Sequence, residues 1–387
     1  MNRLSMSKKI LVIFGTRPEA IKMAPVVLRL QESASLQVKV AVTAQHRQML
    51  DQVLDIFAIR PDFDLDIMSP DQDLFDITSR ALLGLKEVLR QEQPDLVLVH
   101  GDTTTTLVAA LAAFYLKIPV GHVEAGLRTR DKHRPFPEEI NRHLAGVLTD
   151  YHFAPTPWAR DNLAAEGVAP ERIWVTGNTV IDALKIIAER VGHEQARWEN
   201  YFAQEYGLPL AGKRLILVTG HRRENFGHGF QNICWALRDV VETFPEVLVV
   251  YPVHLNPNVQ RPVKEILGPV SNGQDGRLAL LPPLEYAPFV YLLSQSYLVL
   301  TDSGGIQEEA PALGKPVLVM RDVTERPEGV WAKTVKLVGT DRDRIFQEIK
   351  ELLDNPDSYQ TMAQARNPYG DGQAARRIVK VIEEIFA

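Results

Sequence analysis

The chain has 387 residues and a mass of 43.5 kDa, beyond the size at which one hydrophobic core usually stops growing, so two domains are expected from length alone. With 45% hydrophobic and 24% charged residues, the composition excludes the disordered, collagen-like and disulfide-rich classes. A net charge of -6 and a pI near 6.0 speak against nucleic acid as a partner, because duplex binding needs a concentrated basic surface.

The stretch before Ile10 is short and polar, with no room for the apolar region of a signal peptide. No apolar run approaches the roughly 20 residues of a membrane helix. The one cysteine, Cys234, has no partner for an internal disulfide and reads as a small buried residue in Ile-Cys-Trp-Ala-Leu. A cytoplasmic location away from membranes is expected.

Short runs of Val, Ile and Leu alternate with longer amphipathic stretches, the pattern of buried parallel strands joined by crossover helices. In the first half these runs are 10–14, 38–43, 96–100, 120–123, 152–154 and 173–176. In the second they are 215–219, 248–251, 278–281, 298–301, 317–320 and 335–338. Both halves open alike, with Lys9-Ile-Leu-Val-Ile-Phe-Gly-Thr-Arg-Pro-Glu19 and Arg214-Leu-Ile-Leu-Val-Thr-Gly-His-Arg-Arg-Glu224. The polar and aromatic stretch 192–212 marks the connection between lobes, and 373–387 is an amphipathic helix behind the breaker-rich Asn367-Pro-Tyr-Gly-Asp-Gly372. The expected architecture is α/β, with two doubly wound Rossmann-like domains at 1–190 (joined by 371–387) and 191–370.

Ligands of open parallel sheets bind beyond the carboxyl ends of the strands. Those positions are unusually polar here. The clearest anion site is Thr301-Asp-Ser-Gly-Gly-Ile-Gln-Glu-Glu309, where Ser303, Gly304 and Gly305 lie between a strand and a helix whose free N–H groups and dipole favour phosphate. Glu309, one turn on, can accept from two ribose hydroxyls. Alternatively the segment is a glycine-rich turn with an acidic first helical turn. Arg17 and Lys22 are candidates to reach the same diphosphate from the first lobe.

Three acids, Asp102, Glu124 and Glu138, follow or adjoin first-lobe strands, and His221 follows the first strand of the second lobe. Asp102, before four threonines, also reads as a helix cap, and Glu138 in Arg134-Pro-Phe-Pro-Glu-Glu139 as helix-dipole chemistry. Glu124 follows a buried apolar strand and needs a partner, which Arg128 or Arg142 can supply as an ion pair. His100, His122 and His143 lie near these acids, but their spacing matches no zinc motif, and Gly15-Thr-Arg-Pro-Glu19 is neither a dinucleotide fingerprint nor a P-loop. No metal and no cofactor are expected.

Gly15-Thr-Arg-Pro-Glu-Ala-Ile-Lys22, Gly101-Asp-Thr-Thr-Thr105, His122-Val-Glu-Ala-Gly-Leu-Arg-Thr129, Pro137-Glu-Glu-Ile-Asn-Arg142, Gly220-His-Arg-Arg-Glu-Asn225 and Asp302-Ser-Gly-Gly-Ile-Gln-Glu-Glu-Ala-Pro311 together resemble the non-hydrolysing UDP-N-acetylglucosamine 2-epimerases of bacteria. The resemblance spans nearly the whole chain. It implies a fold similar to the two-domain (GT-B) glycosyltransferases with the active site in the interdomain cleft, a homodimer, and reversible formation of UDP-N-acetylmannosamine for surface polysaccharide. It also implies elimination of UDP to 2-acetamidoglucal followed by re-addition. By the same resemblance Asp102, Glu124, Glu138 and His221 are the catalytic candidates. Arg17, Lys22, Asp102, Glu124, His221, Phe289, Ser303, Gly304, Gly305, Glu309 and Arg326 would bind the substrate. Gln45, His46, Gln48 and His254 match a second, activating substrate site, although Asp71 stands where some relatives carry Arg.

Three rivals remain at this stage. A hydrolysing epimerase would release N-acetylmannosamine and UDP. A UDP-sugar glycosyltransferase would pass the sugar to an acceptor, and a silent UDP-sugar sensor would only bind. The acids and His221 exceed what a donor site alone requires.

Overall fold

Strands form where the apolar runs stand. In the computed structural model, which describes residues 7–44, 47–69, 71–208, 210, 212–271 and 276–387, the chain divides into two units, Met1–Ala183 with Tyr369–Ala387, and Leu184–Pro368. The first unit carries seven strands: β1 (Lys8–Phe14), β2 (Leu36–Val42), β3 (Phe63–Asp64), β4 (Leu96–His100), β5 (Val120–Val123), β6 (Tyr151–Ala154) and β7 (Ile173–Val175). They pair in parallel in the order β3-β2-β1-β4-β5-β6-β7. Helices cover both faces, so Ile10, Leu11, Val12, Ile13 and Phe14 are all fully buried; an unbroken apolar run is what such a strand requires.

The second unit repeats the plan with β8 (Arg214–Thr219), β9 (Val247–Pro252), β10 (Leu278–Leu281), β11 (Ser296–Thr301), β12 (Val317–Val319) and β13 (Val335–Leu337). Their order is β10-β9-β8-β11-β12-β13, again parallel. Cys234, on the helix His228–Thr243, is buried in this unit's core, and burial pushes its thiol up to about 12, leaving it unreactive.

The order of each sheet reverses once, between β1 and β4 and between β8 and β11. At such a point the flanking loops diverge and leave a crevice at the carboxyl edge. Both halves of the fold therefore direct attention to the segments that begin at Gly15, Gly101, Gly220 and Asp302.

Two elements differ from the sequence-based expectation. The two-residue β3 has no apolar run of its own and exists only by pairing with β2. Within the expected connection, residues form the helix Gln195–Tyr206, closed by Gly207 at φ 62°. Its aromatic residues belong to a core: Phe202 is fully buried and stacks on Tyr291, as does Trp198. No helix among the described residues is long and apolar enough to cross a membrane.

The C-terminal helix Ala374–Phe386 lies on the helix Arg17–Gln31 and buries Ile378, Val379 and Ile382. Its first N–H groups, which no residue within the helix can satisfy, are taken up by Asp182: Ala374 donates at 3.1 Å and Ala375 at 2.9 Å. Asp182→Ala leaves both donors buried and unpaired, and should cost about 1–2 kcal/mol, lowering the melting temperature by about 2–8 °C in calorimetry.

Candidate active site

At the first switch point the turn after β1 is held by Glu19. Its Oε2 accepts from the N–H of Gly15 (3.1 Å) and Thr16 (2.8 Å), and its Oε1 from the hydroxyls of Thr103 (2.7 Å) and Thr106 (3.2 Å). This carboxylate, 2% exposed, ties the β1 loop to the β4 loop. A Cβ on Gly15 would fall 2.0 Å from Thr43 Oγ1 and 2.5 Å from Thr105 Oγ1, so only glycine passes between them. Arg17 opens the following helix, half-buried.

One turn on, Lys22 Nζ lies 2.5 Å from Oε2 of Glu124, and His100 Nε2 stands 3.5 Å from the same oxygen. Arg128 and Arg142, the expected partners of Glu124, are engaged elsewhere. Arg128 forms a two-pronged pair with Glu166, both contacts 2.7 Å, and Arg142 Nη2 donates to Asp102 Oδ2 at 2.7 Å. Burial drives the Glu124 carboxyl up, but the charge of Lys22, with His100, overcomes it and holds the group well below the usual carboxylate range. Glu124 also sits at φ 62°, a left-handed conformation that costs a non-glycine residue energy and that tends to persist at functional positions.

Asp102 is not the helix cap. That role falls to Thr103, whose hydroxyl accepts from Thr106 N–H at 3.2 Å. Gly101 N–H donates to Val123 O at 2.9 Å, so Asp102 and Glu124 follow the ends of adjacent strands. His122, at the end of β5, is driven by burial to about 3; neutral, it donates from Nε2 to Gly101 O at 2.7 Å and braces the same turn.

Glu138 and Glu139 open the helix Glu138–Leu148 with opposite fates. Glu139 is buried, which disfavours its charge, yet the N–H groups of Thr129 (3.0 Å) and Arg130 (2.8 Å), with Arg142, keep it below the ordinary range. Glu138 has a buried Oε2 with no hydrogen-bond partner among the described residues. A carboxylate oxygen left that way is costly structurally and available chemically.

In the second unit, the helix Gly304–Ala312 starts directly behind β11 with Ser303 as its cap residue. A Cβ on Gly304 would come within 2.9 Å of Arg326 Nη1, so the guanidinium lies against this glycine, anchored by Glu308 at 2.6 Å. Arg222, Arg321 and Arg326 surround Glu325; against the effect of burial, these cations bring its carboxyl to about 2. Gly305 follows in the first turn. Glu309 is buried and accepts from Tyr286 Oη at 3.1 Å, and Phe289 lies half-buried on the helix Tyr286–Gln295.

His221 and His254 stack, with ring centroids 5.5 Å apart and planes at 24°. His254, read from sequence as regulatory, thus touches a catalytic candidate. Burial lowers the His221 pKa, Asp302 opposes that, and His254 and Arg222 add to the lowering. Gln45 and His46 lie outside the described residues, as does the side chain of Gln48; Asp71 adopts φ 55°.

Sequence reasoning passed over Asp302 and Glu19 as individual positions, and weighed His100 only as a metal ligand and not as a partner of Glu124. A carboxylate directly behind an apolar strand was the available signal for Asp302, since such a group needs donors wherever it is buried. Among the described residues no group of three or more His, Cys, Asp or Glu is disposed to hold a metal ion.

The family model described as UDP-N-acetylglucosamine 2-epimerase matches residues 28–383. The UDP-N-acetylglucosamine 2-epimerase of Escherichia coli (strain K12) is 58% identical over 375 residues, covering 97% of this chain and 98% of that one. Its counterpart from Campylobacter jejuni is 53% identical over 380 residues, at 97% and 98% coverage. Among solved structures, UDP-GlcNAc 2-epimerase from Neisseria meningitidis bound to UDP-GlcNAc superposes with a TM-score of 0.87 at 49% identity, covering 97% of this chain and 100% of that one. The Methanocaldococcus jannaschii enzyme in complex with UDP-GlcNAc and UDP gives a TM-score of 0.76 at 32% identity, covering 97% and 99%.

The balance at Glu124 can be measured. In Lys22→Met, burial loses its main opponent, and the Glu124 carboxyl, followed by 13C NMR, should titrate above the ordinary value of about 4.3 instead of below it. An unchanged titration would remove Lys22 as the controlling charge.

Proposed function

Since the chain belongs to the UDP-N-acetylglucosamine 2-epimerase family, we propose that it interconverts UDP-N-acetylglucosamine and UDP-N-acetylmannosamine without net hydrolysis, by eliminating UDP and adding it back. The hydrogen on carbon 2 is not flanked by a carbonyl, so direct removal at neutral pH is very difficult. Elimination avoids the difficulty. A base takes the carbon 2 proton, the electron pair forms the carbon 1–carbon 2 double bond, and the carbon 1–oxygen bond breaks towards the β-phosphate. The 2-acetamidoglucal is then protonated at carbon 2 from the opposite face while a phosphate oxygen of UDP bonds to carbon 1.

The observation that carries this reading is the unequal treatment of the acids in the first unit. Inversion needs groups in different protonation roles around one carbon. Glu124 is held as the carboxylate by Lys22, so it carries no proton to donate and is assigned the accepting role. Glu138 keeps an oxygen with no donor among the described residues, and Asp102 is oriented by Arg142. In the second unit, His221 is assigned to the departing phosphate, where negative charge grows. Arg17, Lys22, Phe289, Ser303, Gly304, Gly305, Glu309 and Arg326 are assigned to the nucleotide sugar.

Activation by substrate through Gln45, His46, Gln48 and His254 belongs to the same proposal, as does a homodimer. In support of the latter, Ile140, Leu144 and Val147 form an exposed apolar stripe on one helix, and Phe114 and Tyr115 are exposed on the neighbouring one.

Incubation in heavy water should place deuterium at carbon 2 of the recovered UDP-sugars, read by NMR. Unlabelled sugar would end the proposal, and free N-acetylmannosamine with UDP would assign the hydrolysing reaction instead. His221→Ala should lower turnover by about a hundredfold while UDP affinity, from isothermal titration, changes less than about tenfold. Equal losses would withdraw His221 from the leaving group.

A further inference from the structure

β11 ends at Thr301, and the next side chain, Asp302, is 0% exposed. A buried carboxylate is tolerated only where donors surround it. Here all of them come from the loop that follows β8. Oδ2 accepts from the backbone N–H of His221 (2.9 Å) and Arg222 (2.8 Å) and from Asn225 Nδ2 (3.2 Å). Oδ1 accepts from the His221 N–H at 3.1 Å and faces His221 Nδ1 at 3.5 Å. Four of these five approaches arise from two consecutive residues, so the carboxylate fixes both the path of the loop and the orientation of one ring.

Among the described residues, the remaining neighbours of the His221 ring supply no second anion. One face stacks on His254, whose own Nδ1 accepts from Asn256 N–H at 3.1 Å. Arg222 carries a positive charge and turns its guanidinium to Glu325 at 3.1 Å. A carboxylate against Nδ1 selects the tautomer with the proton on that nitrogen and stabilises the imidazolium. We propose that Asp302 is the positioning residue of His221, holding Nδ1–H so that Nε2 is the nitrogen presented to the departing phosphate and the ring is kept able to give up a proton there. This rests on the reading of His221 given above. It accords with the charges around the ring: burial, His254 and Arg222 all disfavour the imidazolium, and Asp302 opposes them.

Asp302→Asn tests the assignment in the full chain. The amide oxygen can keep the backbone donors of the loop, but its NH2 then faces Nδ1 and the negative charge is gone. With 15N- and 13C-labelled histidine, the His221 resonance is identified by its loss in His221→Gln and titrated in both proteins. The midpoint should fall by about one pH unit in Asp302→Asn, a tenfold loss of proton affinity, and Nδ1 should change from the protonated to the unprotonated 15N shift. The alkaline limb of the kcat profile should move down with it. An unchanged midpoint and tautomer would overturn the proposal. If the variant does not fold, the wild-type spectrum still decides, because a neutral His221 with an unprotonated Nδ1 is incompatible with the assignment. The NMR midpoint and tautomer do not require turnover, so they fail or succeed separately from the epimerase reading.

Discussion

A carboxylate set at the carboxyl edge of a parallel sheet has left water and must be given donors by the chain around it. Both units are organised by that requirement. In the first, Glu19 collects two backbone N–H groups and two threonine hydroxyls and so draws the β1 and β4 loops together. In the second, Asp302 draws the β8 loop onto the end of β11. Each replaces solvation with several fixed donors, and removing one partner would strand the rest. The functional candidates hang from these anchors: Arg17 lies two residues before Glu19, Asp102 one residue before Thr103, and His221 binds Asp302 directly.

The same physics explains what could be read in the chain beforehand. Strands covered on both faces must be continuously apolar, so β4, β5 and β10 begin and end where their runs do. Glycines at the turns were legible as well, because Gly15 and Gly304 are pressed against side chains that a Cβ would strike. The identity of charge partners was not. Lys22 and Glu124 are separated by 102 positions and meet only because β1, β4 and β5 lie in sequence across the sheet, which spacing along the chain does not express. Arg128 and Arg142, nearer in sequence, were the natural choice and go to Glu166 and Asp102. Likewise the helix Gln195–Tyr206 reads as a polar connection until Tyr291 supplies the surface that its aromatic residues cover.

The two units share a strand order and an opening motif yet hold opposite chemistries at their edges. The first concentrates carboxylates: Glu124 is paired with Lys22 and faces His100, Asp102 is paired with Arg142, and Glu138 keeps an oxygen that no donor among the described residues reaches. The second concentrates guanidinium groups around Glu325 and places the helix start at Ser303 beside Arg326. A sheet edge supplies only backbone and position. Which residues fill the positions after each strand decides the charge that the edge presents.

The ring of His254 rests on the ring of His221. Under the proposed function these belong to two tasks, sensing a second substrate molecule and assisting departure of the first, and they share one pair of aromatic faces. A change at His254 that altered its grip on an effector would disturb the neighbouring imidazole as well. On that reading a substitution at His254 cannot be judged by effector response alone, because the imidazole beneath it is the one assigned to the leaving group.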